Sequence, residues 1–251
     1  MNERTRTLPS PEQLLSDQKS ALETFFGQEA LPPEPPKALM EFVERANEQG
    51  FTFELYFEPN VVFTKDANYP GWRVKPDTWF WEQIREGNIL ADAAVLSGRW
   101  AAMEAIQKPE YDGGKQLHEN DSLAPILERL RKEGKITIPD WCSLIPSTSR
   151  FGISFDEITK YVVPEFAQVT QIEAEQAQVP PYIAFNFRGN VAHPEWGETN
   201  TWERFADSFG GGSRLVGGRR VRGGLAYVGY GWRGVRSDCV GFRLRVVSSS
   251  K

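Results

Sequence analysis

Residues suited to redox or metal chemistry are scarce in this chain: its 251 residues include two cysteines and two histidines. Cys142 and Cys239 lie far apart with no CxxC spacing, which excludes a disulfide framework and a thiolate zinc site and fits a reducing compartment. His118 and His193 have no partner His or Cys at a ligand spacing, so a three-histidine centre within one chain is excluded and both read as surface or supporting residues. No apolar run of about eighteen residues exists, which excludes a membrane-spanning helix. The opening Met1–Leu8 is polar with no apolar stretch behind it, so no secretory signal is expected. The cytoplasm is the expected compartment, with surface or virion display as other routes. Nucleotide and acyl-transfer signatures are also missing: there is no GxSxG and no Walker loop. The run Gly210-Gly211-Gly212 precedes a strand, the wrong order for cradling a phosphate.

The chain does have the means to bury a core, with 40% hydrophobic, 25% charged and 12% aromatic residues. Its net charge of −5 is unevenly spread. Residues 201–251 hold ten Lys and Arg against three Asp and Glu, so the basic end is expected to form a distinct surface, which fits an anionic ligand or nucleic acid and equally fits basic residues scattered over a solvated face.

Ser10-Pro11-Glu12-Gln13 has the form of a helix start, with Leu14, Leu15, Leu22, Phe25 and Phe26 at helical spacing behind it and Gly27 to end it. That apolar stripe needs cover, so the helix is expected to dock on the body. Leu31-Pro32-Pro33-Glu34-Pro35-Pro36 reads as an extended spacer. A second stripe, Leu39, Phe42, Val43 and Ala46, stops near Gly50. Phe51, Phe53, Leu55 and Phe57 then alternate with polar neighbours, the signature of a strand, and Asn60–Thr64 is its continuation or hairpin partner. Asp77 caps a short helix through Trp79, Phe80, Trp81 and Ile84 that Gly87 closes. A further helix runs from about Asp121 to Glu133. Ser154-Phe155-Asp156-Glu157 is a capping box that opens another, which Pro164 is expected to stop. The segment Ala91–Lys108 carries no clear signature.

From Pro180 onward short apolar runs, Tyr182–Phe187, Ser213–Val216, Leu225–Tyr230 and Val240–Val247, alternate with glycines, and eleven of the 22 glycines lie between Gly210 and Gly241. Interleaved residues such as Trp202, Phe205, Leu215, Leu225, Val228, Trp232, Val240 and Phe242 can be buried, so the region reads as an ordered, loop-rich sheet. The expected class is α/β in the mixed α+β sense, with residues 1–50 an N-terminal helical appendage with a Pro-rich linker and residues 51–251 the main domain.

The segments Asn200–Phe209, Arg214–Gly218, Gly223–Val228 and Ser237–Arg243 occur in an order that resembles the C-terminal signature of the formylglycine-generating-enzyme type of C-type lectin fold. Within that group the chain is most similar to the variable proteins of diversity-generating retroelements. The resemblance is clear from about Asn190 to Val247 and weaker from Phe51 to Phe187. It implies a C-type lectin fold with short strands, several helices and long loops, and a non-enzymatic ligand-binding protein. In such proteins the variable region, here about 214–243, is rewritten by adenine-directed copying. On that reading Gly217, Gly218, Gly223, Gly224, Leu225, Ala226, Val228, Asp238, Val240, Gly241 and Phe242 are the constant frame. Arg220, Arg222, Tyr227, Gly229, Tyr230, Gly231, Arg233, Val235, Arg236, Ser237 and Cys239 are the variable, ligand-contacting positions.

The ligand would be a protein or other macromolecule, and no cofactor or metal is implied. The Phe51 strand is expected to pair with the Phe242 strand. A formylglycine-generating-enzyme-like oxidoreductase is the alternative, but that activity uses a closely spaced late cysteine pair, and here Cys239 is the only late cysteine. A nucleic-acid or anion-binding module built on the basic end ranks third. Glu58-Pro59-Asn60 matches the calcium triplet of C-type lectins, yet it falls too early and lacks the Trp-Asn-Asp partner.

Overall fold

The computed structural model describes residues 9–248, so the polar opening Met1–Leu8 lies outside the described residues. The chain folds as a mixed α+β protein with two four-stranded sheets. Helix α1 (Pro11–Phe26) starts where its cap predicts: the Ser10 hydroxyl accepts from the Gln13 N–H, and Gly27 ends it in the left-handed region at φ 71°. Helix α2 (Lys37–Glu48) buries Leu39, Phe42, Val43 and Ala46. Leu14, Leu22 and Phe25 join these in the same hydrophobic cluster as the sheets, so α1 docks on the body as its stripe requires. The proline segment between the helices is tied down, with the Pro33 carbonyl accepting from the Trp100 indole N–H at 2.9 Å.

Strand β1 (Phe53–Val62) continues through Asn60 and pairs antiparallel with β2 (Val95–Glu104), inside the segment that carried no sequence signature. The polar half of the β1 alternation is not all at the surface: Tyr56 and Glu58 are buried, because Glu58 meets the buried Arg245 and accepts from the Tyr56 hydroxyl. The Glu58 carboxylate is therefore occupied, which disposes of the calcium triplet. Strand β8 (Arg245–Val247) pairs with β2, and β3 (Ala177–Gln178) completes the order β1-β2-β8-β3. The expected pairing of the Phe51 strand with the Phe242 strand is thus wrong, since β2 stands between β1 and the chain's end.

Helix α3 (Thr78–Arg85) is capped by Asp77, and α4 (Ala124–Lys132) begins three residues later than Asp121, whose carboxylate instead accepts from Leu123 N–H. The Ser154 capping box forms and opens α5 (Phe155–Glu157), but Pro164 does not stop the helix. A π turn over Ile158–Val162 lets Val163 N–H reach the Ile158 carbonyl, and α6 (Val163–Thr170) resumes with Pro164 in its first turn, where no donor is needed.

The second correction is larger. Tyr182–Phe187, expected in strand territory, is the start of helix α7 (Tyr182–Val191), whose first eight residues are all buried. A short run that is apolar on every side has no periodicity to distinguish the two states. Pro180 and Pro181 decide it by fixing the entry, and the Asp207 carboxylate accepts from Tyr182 N–H at the helix start at 2.6 Å. Helix α7 contacts β2 on one side and β4 (Trp202–Phe209) and β5 (Ser213–Gly217) on the other, so it bridges the two sheets. The second sheet has the order β6-β5-β4-β7, with β6 (Val228–Trp232) at one edge and β7 (Val240–Gly241) parallel to β4 at the other. No helix among the described residues is long and apolar enough to cross a membrane.

Candidate functional site

The glycine-rich C-terminal stretch wraps around the second sheet, and its two sets of residues have different surroundings. Of the frame, Gly217, Gly218, Gly224, Leu225, Val228, Gly241 and Phe242 are buried, Ala226, Asp238 and Val240 are half-buried, and Gly223 is exposed. The frame glycines are where backbones meet. A Cβ on Gly217 would overlap the Tyr227 carbonyl, and one on Gly224 would lie 2.8 Å from the Gly197 carbonyl. Gly218, at φ 82°, holds a turn that buried Lys108 pins by donating to the Gly218 and Thr201 carbonyls at 2.5 and 3.1 Å. Burial brings the Lys108 ammonium down to about 8.

None of the eleven positions expected to vary is buried. Arg220 and Arg222 are exposed on the turn after β5, and Arg220 pairs with Glu110 at 3.0 Å. Tyr227 is half-buried, edge-on to Trp202 with ring centres 5.2 Å apart. Gly229, Tyr230 and Gly231 lie on β6, and Val235 is exposed in the loop beyond it. Arg233 reaches Asp156 at 2.7 Å, and Arg236 bonds the buried Glu157. Burial alone would raise the Glu157 carboxyl, but bonds from Arg236 and Ser154 hold it below the usual carboxylate range. Arg236 is therefore the most committed of the eleven to the fold. The Ser237 carbonyl accepts from Gly152 N–H, and the Cys239 carbonyl from Trp202 N–H, which leaves both side chains half-exposed.

Three residues beyond the expected set complete the surface. The Tyr230 ring stacks on Phe209 at 4.0 Å and 13°, and Trp79 of α3 lies parallel to both, 5.5 Å from Phe209 and 6.0 Å from Tyr230. Trp232, a side chain that could be buried or make contacts, is 59% exposed and lies over Gly212, where a side chain would collide with it. The result is a group of near-parallel rings in which Tyr230 is exposed and Phe209 and Trp79 are half-buried. Nothing in the sequence links Trp79 to Tyr230, since the contact joins a helix near the start of the domain to a strand near its end.

On the opposite flank, Tyr111 donates to the Asp238 carboxylate at 2.6 Å, a bond that pushes the phenol up to about 12, and Gln116 holds the Asp238 carbonyl. Segments 109–116 and 151–157 thus brace the loop from Arg233 to Cys239.

Part of the positive charge of the basic end is internal. Arg204, Arg243 and Arg245 are fully buried: Arg243 grips Glu203 at 2.5 and 2.7 Å and lies 3.6 Å over the Trp196 ring, while Arg204 bonds the Ile153 and Val235 carbonyls. Arg214 stacks on Phe155 and Arg219 on Trp202. Among the described residues of this end, Arg222, like Arg214 and Arg219, has no ion pair, and the pairs of Arg220 and Arg233 are exposed to solvent.

Both thiols are free. Cys142 is buried, and burial, with Asp238 and Cys239 nearby, raises its thiol above the ordinary value, which leaves it a poor nucleophile. His118 is not a surface residue. It is buried against Phe151, and burial beside Arg150 lowers its pKa to about 3. His193 is held between Glu54 and Glu195 at 2.8 and 2.9 Å. No protein family model matches this chain, and no curated protein or solved structure does.

Proposed function

We propose that this protein is a non-enzymatic ligand-binding protein with a C-type lectin fold, of the diversity-generating retroelement type, whose C-terminal surface is the part that changes. The observation that carries the reading is the division of the stretch from Gly217 to Phe242. Seven of the eleven frame positions are buried, with no room for a Cβ on Gly217 or Gly224, whereas none of the eleven positions assigned to variation is buried. Such a surface changes its side chains without changing its backbone. Tyr227, Tyr230, Trp232 and Arg233 supply large rigid contacts and bidentate donors at low entropic cost. The two free thiols suit a reducing compartment such as the cytoplasm.

A displayed library tests this. Randomising the eleven variable positions is expected to leave most members protease-resistant and to yield binders to unrelated protein targets. Randomising the eleven frame positions is expected to leave few folded. Equal loss of folding in the two libraries would contradict the reading.

A further inference from the structure

The second sheet ends on β6, and most of the outer edge of β6 is unpaired. Its ladder phase follows from two bonds that bracket the pairing with β5: Arg233 N–H donates to the Gly212 carbonyl at 3.1 Å, and Gly218 N–H to the Tyr227 carbonyl at 3.3 Å. Between them Ser213 faces Trp232, Leu215 faces Tyr230 and Gly217 faces Val228. Bonded and non-bonded pairs alternate along an antiparallel ladder, so Gly229 and Gly231 turn their N–H and C=O towards β5. Val228, Tyr230 and Trp232 turn theirs outward. Two of these outward groups are engaged locally: Val228 N–H lies against the Asp77 carboxylate, and the Trp232 carbonyl accepts from Val235 N–H at 3.0 Å. The Val228 carbonyl, both main-chain groups of Tyr230 and the Trp232 N–H have no partner among the described residues.

Sheet edges are usually blunted by charge, proline or a covering side chain. The long edge of the first sheet is treated in that way. On β1 the Asn47 amide takes both Phe53 N–H and Phe53 C=O at 2.9 and 3.1 Å, Gln18 takes Phe57 N–H at 3.0 Å, and Pro59 removes a donor. Strand β6, with the sequence Val-Gly-Tyr-Gly-Trp, has neither charge nor proline. A Cβ placed on Gly231 would meet nothing within 4 Å.

We infer that the free edge of β6 takes up an extended polypeptide segment of the ligand as an added strand, an inference that rests on the C-terminal surface being the binding surface. Unpaired donors and acceptors recurring at every second residue, about 6.8 Å apart, match another main chain in extended form. The rings of Tyr230 and Trp232, 56% and 59% exposed, are packed on the inner side of β6, against Phe209 and over Gly212, so neither covers the outer edge. Main-chain pairing is indifferent to which side chains occupy the variable positions. Diversification then alters which segment is chosen while the mode of docking persists.

The probe is a displayed pool of random 12-residue peptides selected against the full-length protein, with the winners resynthesised carrying N-methyl groups at alternate residues. Methylation in one register is expected to weaken binding at least tenfold and in the other register to leave it nearly unchanged. Bound peptide is expected to slow amide exchange at Tyr230 and Trp232. Tyr230→Pro removes an outward N–H and no β5 bond, so it is expected to weaken binding tenfold more than Tyr230→Val, which removes the ring alone. If Tyr230→Pro does not fold, the methylated peptides still decide. Peptides that need Tyr227 or Arg233 yet tolerate methylation in both registers overturn the strand pairing and leave the binding surface intact. A pool that yields no binder overturns the pairing as well.

Discussion

Asp207 has a chemistry that its position in the sequence does not imply. Its carboxylate is enclosed at the start of α7 although the residue as a whole is half-exposed, and desolvation raises it from 3.8 to about 6 despite the bond from Tyr182 N–H. The folded chain therefore holds a proton that the unfolded chain releases between these values. The associated stability is fully present below the ordinary value and is lost as pH rises through about 6. Buried His118, lowered to about 3, acts with the opposite sign over the same range, so the test is the difference between the parent and Asp207→Asn, which keeps the acceptor for Tyr182 N–H. In urea unfolding at a series of pH values, the stability of the parent relative to the variant is expected to fall on the order of 2 kcal/mol between pH 4 and 7. An unchanged slope in the variant would place the proton elsewhere. None of this is legible in the sequence, where Asp207 is one acid in a basic segment.

At the level of elements, local signals were reliable wherever the cap itself was written in the chain. Ser10, Asp77 and Ser154 each do what their spacing implies, because an N-cap is a contact between residues three apart and needs no distant partner. Helix α7 and strand β2 were not legible, since both are buried among other elements and their apolar runs fit either period. Pro164 misled because the π turn before it was not anticipated.

The β5–β6 hairpin gives the sharpest test at this scale. Gly217→Ala drives a Cβ into the Tyr227 carbonyl and is expected to cost about 1–3 kcal/mol, as overpacking does. Gly231→Ala meets open space and is expected to stay within about 1 kcal/mol of the parent. Thermal unfolding of the two variants checks it. Similar losses in both would remove the distinction between frame and variable glycines.

For the molecule as a whole, the arginines of the last fifty residues show how composition misleads about surfaces. Arg243 with Glu203 and Arg245 with Glu58 are buried pairs that fasten the chain's end to β4 and β1. Breaking either would strand a charge in the core. Of the nine described arginines from 201 on, Arg204, Arg243 and Arg245 are internal bracing and the other six reach the surface. The glycine-rich stretch that carries the proposed site is visible in the sequence, because glycine spacing is local. The site's boundaries are not, because Trp79, Tyr111 and Asp156 arrive from distant segments.

The account centres on a surface built to vary while its frame is held fixed, and the gene is where that claim is most directly read. Sequencing the locus from many isolates is the measurement. It is expected to show a near-copy of the segment encoding Arg214 to Arg243 nearby, and substitutions at template adenines confined to the codons of positions such as Tyr227, Gly229, Tyr230, Arg233 and Cys239, with Gly217, Gly224 and Phe242 unchanged. A single copy without a repeat, with substitutions falling on frame and variable codons alike, would contradict it.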